Sequence, residues 1–118
     1  MRPHHNGGEK MQKVLVVDDE FLVRLGLKTT IDWEAHGYKI VGEASNGKEA
    51  LEIFDREDPD ILLTDIKMPV MDGFKLIEEV RKRKKRIRIV ILSHYDDFAF
   101  AQKALKFGAT QYPQIRNE

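Results

Sequence analysis

We predict an α/β domain in which a parallel sheet carries helices on both faces. Short apolar runs rich in β-branched residues alternate along the chain with stretches of helical periodicity. Such alternation is typical of strand–helix units and a parallel sheet. Right-handed crossovers then place helices on both faces of that sheet. The length of 118 residues suits one domain with one core.

The first half of the chain contains two strand–helix units. A continuous apolar run predicts a strand over 14–17, as expected for a parallel strand buried on both faces. Apolar residues spaced by four predict a helix over 21–31. A second strand covers 38–41 and ends at a glycine. A helix over 47–56 follows, with Ser45 as its expected N-cap.

The second half of the chain repeats this pattern. A strand over 61–64 follows a proline, and a helix over 74–83 has its apolar residues on one side. A strand over 87–92 and a helix over 97–107 that ends before a glycine come next. A fifth strand is expected over 110–115.

The composition excludes several classes of function. The chain has 20 Lys+Arg, 20 Asp+Glu and no Cys. Balanced charge argues against a generally basic nucleic-acid binder, and the lack of Cys excludes disulfides, thiolate metal sites and Cys nucleophiles. No apolar run approaches the ~20 residues of a membrane span. We expect a cytoplasmic protein without membrane contact.

Two segments stand apart from the strand–helix pattern. Residues 1–10 are polar and aperiodic, which indicates a flexible leader or an expression-derived segment before the domain at 11–118. A metal site at His4 and His5 is the alternative. Residues 81–88, the basic segment, hold seven bases and no acid. We interpret them as a solvated helix end, favoured by the helix dipole, rather than as a DNA-binding patch.

Polar side chains follow the strands at the edge where open parallel sheets bind ligands. Asp18 and Asp19 follow the first strand, Asp65 the third and Ser93 the fourth. A lone strand-end Asp is ordinarily a cap or turn residue. Carboxylates ~5 Å apart, however, repel by ~3 kcal/mol at an effective dielectric of 20, so three together are expected to hold a cation. Oxygen ligands from different strands suit Mg²⁺ better than a Ca²⁺ loop.

A carboxylate beside Mg²⁺ can act as a nucleophile toward phosphorus and form an aspartyl phosphate. The metal would orient the donor and stabilise charge on the transferring group, and Ser93 could donate a hydrogen bond to a phosphoryl oxygen. Rival chemistries lack their motifs, because the sequence contains neither a Walker loop nor a Gly-x-Ser-x-Gly elbow.

Four segments carry a specific combination of motifs: VLVVDDE, ILLTDIKMPVMDG, VILSHYDDF and KFGATQY. Together they resemble the receiver domain of two-component response regulators, over about residues 13–112. The stretches IDWEAHGYKIVGEASNG and SHYDDFAFAQKALKFGA are closest to receivers with an AraC-type helix-turn-helix output. The resemblance implies a flavodoxin-like (CheY-like) doubly wound fold of five parallel strands in the order 2-1-3-4-5 with five helices.

The resemblance also implies roles for the acidic residues. Asp65 resembles the phosphoacceptor. Asp18 and Asp19 resemble the pair that holds Mg²⁺, with Asp65 and the backbone carbonyl of Lys67 as further ligands. The expected phosphoryl donors are a sensor histidine kinase and small acyl phosphates. The domain is then a phosphoacceptor for signalling rather than an enzyme.

The switch residues implied by the resemblance are the hydroxyl of Ser93 and the aromatic ring of Tyr112. Two departures from the family pattern lie near them. Where the family has a Lys three positions after the aromatic residue, this chain has Ile115, followed by Arg116. Strand alternation favours Arg116 as a surface charge over Arg116 as a substitute cation. His94 stands where the family has a small residue; it either narrows the phosphoryl site or lies in a solvated loop.

The chain ends before a fifth helix, so we expect a C-terminally truncated receiver without an output domain. Leaving ~400 Å² of apolar sheet surface bare would cost on the order of 10 kcal/mol. A homodimer or an exchange of segments is expected to cover that face. Without an output domain, no direct nucleic-acid binding by this chain is expected.

Two other functions remain open. The first is a degenerate or truncated receiver that acts as a non-switching interaction or dimerisation module, because the Lys and the fifth helix are missing. The second is an aspartyl-phosphate hydrolase. It is disfavoured, because Lys67 stands where that chemistry would have a second Asp two residues past Asp65.

Overall fold

A computed structural model describes residues 11–84 and 86–92 of the chain. These residues form four strands, β1 (Gln12–Val17), β2 (Tyr38–Ala44), β3 (Ile61–Thr64) and β4 (Arg88–Ile91). They also form three α-helices, α1 (Phe21–Thr30), α2 (Gly47–Glu57) and α3 (Gly73–Arg83), and a 3₁₀ turn at Glu34–His36 that the sequence did not predict. The leader, the fourth helix and the fifth strand that we predicted lie outside the described residues.

The described strands form one parallel sheet in the order β2-β1-β3-β4. This order confirms the first four positions of the predicted arrangement. Val17 at the end of β1 lies opposite Ala44 of β2 and Thr64 of β3, and Thr64 lies opposite Ile91 of β4. Because all four strands end in register, the residues that follow them share one edge of the sheet.

The second strand is longer than the sequence predicted. We expected it to end at Gly42, but β2 continues to Ala44. A Cβ at Gly42 would lie 2.6 Å from the side chain of Ile53 in α2, so this glycine permits a close approach of helix to strand. The extension brings Glu43 into the sheet, beside the end of β1.

The core divides into two apolar clusters on the two faces of the sheet. The larger cluster lies on the side of α2 and α3, and it includes three apolar side chains of α3, namely Leu76, Ile77 and Val80. All three have an exposed fraction of 0%. The smaller cluster is built from the opposite side of the strands, with Leu27 and Trp33 packed against it.

The N-cap of α2 differs from the prediction by one residue. Asn46, not Ser45, caps the helix, and its side chain accepts a hydrogen bond of 2.9 Å from the Glu49 amide. The Ser45 amide and hydroxyl donate to the Glu49 carboxylate at 2.8 and 3.0 Å. These bonds from Ser45 lower the pKa of Glu49. The prediction was wrong because both neighbouring residue types can cap a helix, and their reciprocal contacts decide which one does.

The basic segment (81–88) is engaged with the acidic end of α2. Arg83 Nε contacts Asp55 at 3.0 Å. Lys84 Nζ contacts Asp58 at 3.1 Å and donates to the Pro59 carbonyl at 2.8 Å. These contacts pair Arg83 and Lys84 with residues of α2 and the turn after it, and the interpretation of the whole basic segment stays a prediction. Among the described residues, no helix has the length and apolar character that a membrane crossing requires.

Candidate functional site

Three carboxylates meet at the edge of the sheet where the strands end. One carboxylate oxygen from each of Asp18, Asp19 and Asp65 lies within 4.8 Å of the other two. Asp18 is fully buried, Asp65 is half-buried and Asp19 is exposed. The structure therefore brings together the acids that the sequence pattern singled out, in a graded arrangement from the interior to the solvent.

The backbone ladder fixes the positions of these acids. The Asp18 amide donates to the Ala44 carbonyl at 3.0 Å, and the Asp65 amide donates to the Val17 carbonyl at 2.9 Å. Each acid thus continues the hydrogen bonding of its strand for one residue past the strand end. Their side chains emerge at the same edge because β1 and β3 are parallel and in register.

The turn after β1 is held by side-chain contacts. Asp18 Oδ1 accepts a hydrogen bond of 2.9 Å from the Glu20 amide. Arg24 Nη1, from α1, donates to the Asp18 backbone carbonyl at 2.6 Å. The sequence reasoning missed Arg24, because nothing in the local motif indicates that a residue one helical turn into α1 reaches back to this carbonyl.

The backbone around Asp65 is tightly packed. Asp65 Oδ1 accepts from the Ile66 amide at 2.7 Å, and Thr64 Oγ1 donates to the Asp65 carbonyl at 2.8 Å. The Gly73 amide donates to the Ile66 carbonyl at 2.8 Å. A Cβ at Gly73 would lie only 2.2 Å from the Asp65 carbonyl oxygen, so only glycine fits at this point of α3.

The loop between Asp65 and α3 contains a strained turn. The Met71 amide donates to the Pro69 carbonyl at 2.7 Å, and Val70 between them has a φ of 70°. This is a γ-turn of the strained, positive-φ kind, and a β-branched residue there costs on the order of 1–3 kcal/mol. Val70 is 76% exposed.

The same loop is anchored to both neighbouring helices. The Gly47 amide at the start of α2 donates to the Met71 carbonyl at 3.0 Å, and a Cβ at Gly47 would lie 2.7 Å from the Met71 side chain. Asp72 caps α3 by accepting from the Lys75 amide at 2.9 Å. The loop therefore has a defined shape on the side of the site.

An open cavity of about 420 Å³ lies beside the exposed acid of the cluster. Its lining residues are Asp19, Ile66, Lys67, Met68, Pro69 and Asp72. Lys67 thus borders the same space as Asp19. The predicted role of its backbone carbonyl as a ligand stays a prediction, as do the roles of Ser93 and Tyr112, which lie outside the described residues.

The donor set fits a hard divalent cation. The cluster offers only carboxylate oxygens, the ligands that Mg²⁺ prefers. Two like charges 4.8 Å apart repel by about 3 kcal/mol at an effective dielectric of 20. A cation bound between the carboxylates would offset this repulsion by attracting each of them.

The sequence matches the family of the response regulator receiver domain over residues 14–113. The chain belongs to this family. CheY, a chemotaxis protein of Thermotoga maritima, is 38% identical over 101 residues, which cover 86% of this receiver and 82% of that protein. The REC domain of AraT, a response regulator from Geobacillus stearothermophilus, is 34% identical with a TM-score of 0.85, covering 92% of this receiver and 84% of that chain.

Transcriptional regulators are also among the relatives of this receiver. YesN of Bacillus subtilis is 38% identical over 102 residues, and YdfI of the same organism is 41% identical over 102 residues. Each match covers 86% of this receiver but only 28% of YesN and 47% of YdfI. The predicted family and the CheY-like fold are confirmed, and receiver domains are signalling domains of two-component systems.

Proposed function

We propose that this receiver accepts a phosphoryl group on Asp65 from a sensor histidine kinase. Mg²⁺ would be held by Asp18, Asp19 and Asp65, with the backbone carbonyl of Lys67 as a further ligand. The observation that carries the proposal is the meeting of three carboxylates within 4.8 Å, at the strand ends of a chain of the receiver family.

The chemistry is a nucleophilic displacement at phosphorus. A carboxylate oxygen of Asp65 attacks, the new O–P bond forms, and the bond from phosphorus to the donor nitrogen breaks with its electron pair. When bound, Mg²⁺ offsets the charge of the carboxylates and of the transferring group. The Ile66 amide orients the Asp65 carboxylate through its 2.7 Å hydrogen bond. The cavity that Asp19 and Lys67 line provides the space from which the donor approaches.

The output of this reaction is a change in a protein–protein interaction face. Ser93 and Tyr112 are proposed to follow the phosphoryl group as the switch hydroxyl and the switch aromatic. Moving a two-state switch from 1:99 to 99:1 needs ~5.5 kcal/mol of differential stabilisation. Ile115 at the position of the family's Lys favours the second candidate, a receiver fold that acts as a non-switching interaction module.

The wider biological role is inferred from the relatives. Because YesN and YdfI are transcriptional regulatory proteins, we place this receiver in the regulation of transcription, with residues 11–118 as the receiver unit. A cytoplasmic location agrees with a sequence that contains no Cys. The homodimer that the sequence predicted stays a prediction.

Phosphoryl transfer from acetyl phosphate or phosphoramidate tests the proposal. The full chain should gain one phosphoryl group in a Mg²⁺-dependent reaction followed by intact-protein mass spectrometry. Asp65→Asn should abolish the gain. Asp58→Asn is the matched control, because Asp58 is 77% exposed at the far end of α2 and Asn tolerates its positive φ of 51°. Labelling that survives in Asp65→Asn would refute the assignment.

A further inference from the structure

We propose that Arg24 is a positioning residue for the Asp18–Asp19 turn, and that Glu43 holds Arg24 in place. The inference rests on the proposed function, since it concerns the Mg²⁺ site formed by that turn. Arg24 touches no carboxylate of the cluster in the contacts described above. It acts on the backbone that carries two of them.

The first step of the argument is the geometry of the guanidinium. Arg24 Nη1 donates to the Asp18 carbonyl at 2.6 Å, while Nε donates to Glu43 Oε1 at 3.0 Å. The Arg24 side chain is only 15% exposed, and its guanidinium lies 5.6 Å from the centre of the Phe21 ring. A planar fork with two partners in fixed directions holds its geometry better than a single ammonium would.

Glu43 is itself held from two sides. Its carboxylate accepts from Arg24 and, through the other oxygen, from Lys28 Nζ. The hydrogen bond from Lys28 and the smaller effect of Arg24 lower the pKa of Glu43, against the opposing effect of burial. Glu43 is therefore a charged acceptor at neutral pH, and its charge offsets that of Arg24.

The contacts hold both peptide groups that flank the Asp18 Cα. The Asp18 amide donates to the Ala44 carbonyl, and the Asp18 carbonyl accepts from Arg24. Arg24 in turn binds Glu43, the residue before Ala44 in β2. The backbone of Asp18 is thus fixed on both sides by β2, once directly and once through α1. A displacement of this backbone would move the carboxylates of Asp18 and Asp19 together.

Lys28 supplies a matched control for this role. It lies one helical turn after Arg24 in α1 and binds the same Glu43 carboxylate, but its described contacts do not include the acidic turn. Removing Lys28, like removing Arg24, takes one positive charge from α1 and one partner from the Glu43 carboxylate. Only the removal of Arg24 also releases the Asp18 carbonyl.

The test measures Mg²⁺ affinity by isothermal titration calorimetry on the full chain, with MgCl₂ as the titrant. Arg24→Ala should raise the Kd for Mg²⁺ at least about tenfold, as is usual when a residue that supports metal ligands is lost. The Kd of Lys28→Ala for Mg²⁺ should stay within about twofold of the value for the unaltered chain. The Kd of Arg24→Lys should lie between the values for Arg24→Ala and Lys28→Ala, because one ammonium group cannot reproduce both contacts of the guanidinium. Amide hydrogen exchange at 18–20 should accelerate in Arg24→Ala and not in Lys28→Ala.

Two results would overturn the inference. One is an unchanged Mg²⁺ Kd in Arg24→Ala, and the other is an equal loss of affinity in Lys28→Ala, which would indicate charge rather than position. If Arg24→Ala does not fold, the Kd of Arg24→Lys decides, and a value equal to that of the unaltered chain contradicts the proposal. Mg²⁺ binding that depends on Arg24 without any labelling of Asp65 would sustain this inference while refuting the proposed phosphoryl transfer.

Discussion

Two helices that flank the same sheet differ in how far apolar packing attaches them to it. α3 buries five residues, Gly73, Phe74, Leu76, Ile77 and Val80, whereas α1 buries none. α1 is tied to β2 by the contacts of Arg24 and Lys28 with Glu43. The comparison teaches that fully buried apolar side chains hold the helix on the Asp65 side of the acidic site, while charged contacts supplement the partly buried Leu27 on the Asp18 side.

The largest effect is expected from the apolar attachment of α3. Ile77→Ala should lower the free energy of unfolding by about 2–5 kcal/mol, because a fully buried side chain is replaced by a cavity. Urea denaturation followed by circular dichroism measures the change. Glu78→Ala, the exposed neighbour on the same helix, should change it by less than about 0.5 kcal/mol. Equal losses in the two variants would contradict the assigned packing.

The caps of the two helices give the next contrast. Asp72 accepts a hydrogen bond from the first turn of α3, whereas Glu20 makes no side-chain cap bond to α1. Asp72→Ala should therefore cost about 1 kcal/mol of unfolding free energy. Glu20→Ala should lower the free energy of unfolding by only a few tenths of a kcal/mol. Urea denaturation without Mg²⁺ measures both changes. A larger loss for Glu20→Ala would reverse the contrast.

The charged attachment of α1 should depend on pH. The pKa of Glu43 is lowered from 4.5 in the folded chain, mainly by Lys28. Its stabilising contribution is therefore fully present above about pH 4.5 and is lost as the pH falls through the lowered pKa. Glu43→Gln should cost about 1 kcal/mol or less at pH 7, and this cost should shrink below pH 4.5. Urea melts of both chains between pH 7 and pH 3 measure it, and a pH-independent difference would contradict the ion-pair role.

The smallest effect is expected on the outer surface of α1. Leu22 is 74% exposed, so Leu22→Ser should change the free energy of unfolding by no more than about 0.5 kcal/mol. Thermal melts in the absence of Mg²⁺ suffice for this measurement. A loss of unfolding free energy comparable with that of Ile77→Ala would mean that α1 is packed as closely as α3. That result would contradict the difference between the two helices.

The strands and the acidic cluster were predictable because each depends on a simple rule. A parallel strand buried on both faces needs only a continuous apolar run, as in Val14–Val17. Asp18 and Asp65 then meet because residues that follow parallel strands in register share one edge. The grouping of the three acids required no knowledge of side-chain directions, whereas the strand order was predicted only from the resemblance to the receiver family.

The supports of the cluster were not predictable in this way. Arg24 and Glu43 lie 19 residues apart, and their pairing depends on the rotation of α1 and on the extension of β2 past Gly42. The sequence holds 20 acids and 20 bases, so charge alone selects no pair. The strained turn at Val70 was also missed, because a β-branched residue locally disfavours a positive φ and only the surrounding loop enforces it.

The loop between β3 and α3 is closed by a backbone hydrogen bond between its two ends. The Gly73 amide donates to the Ile66 carbonyl, so the two ends of the loop between β3 and α3 lie close together. An exposed residue between these two, such as Val70, can therefore be exchanged without displacing the strand or the helix. The side chains of this loop can therefore vary while the backbone that carries Asp65 stays where it is.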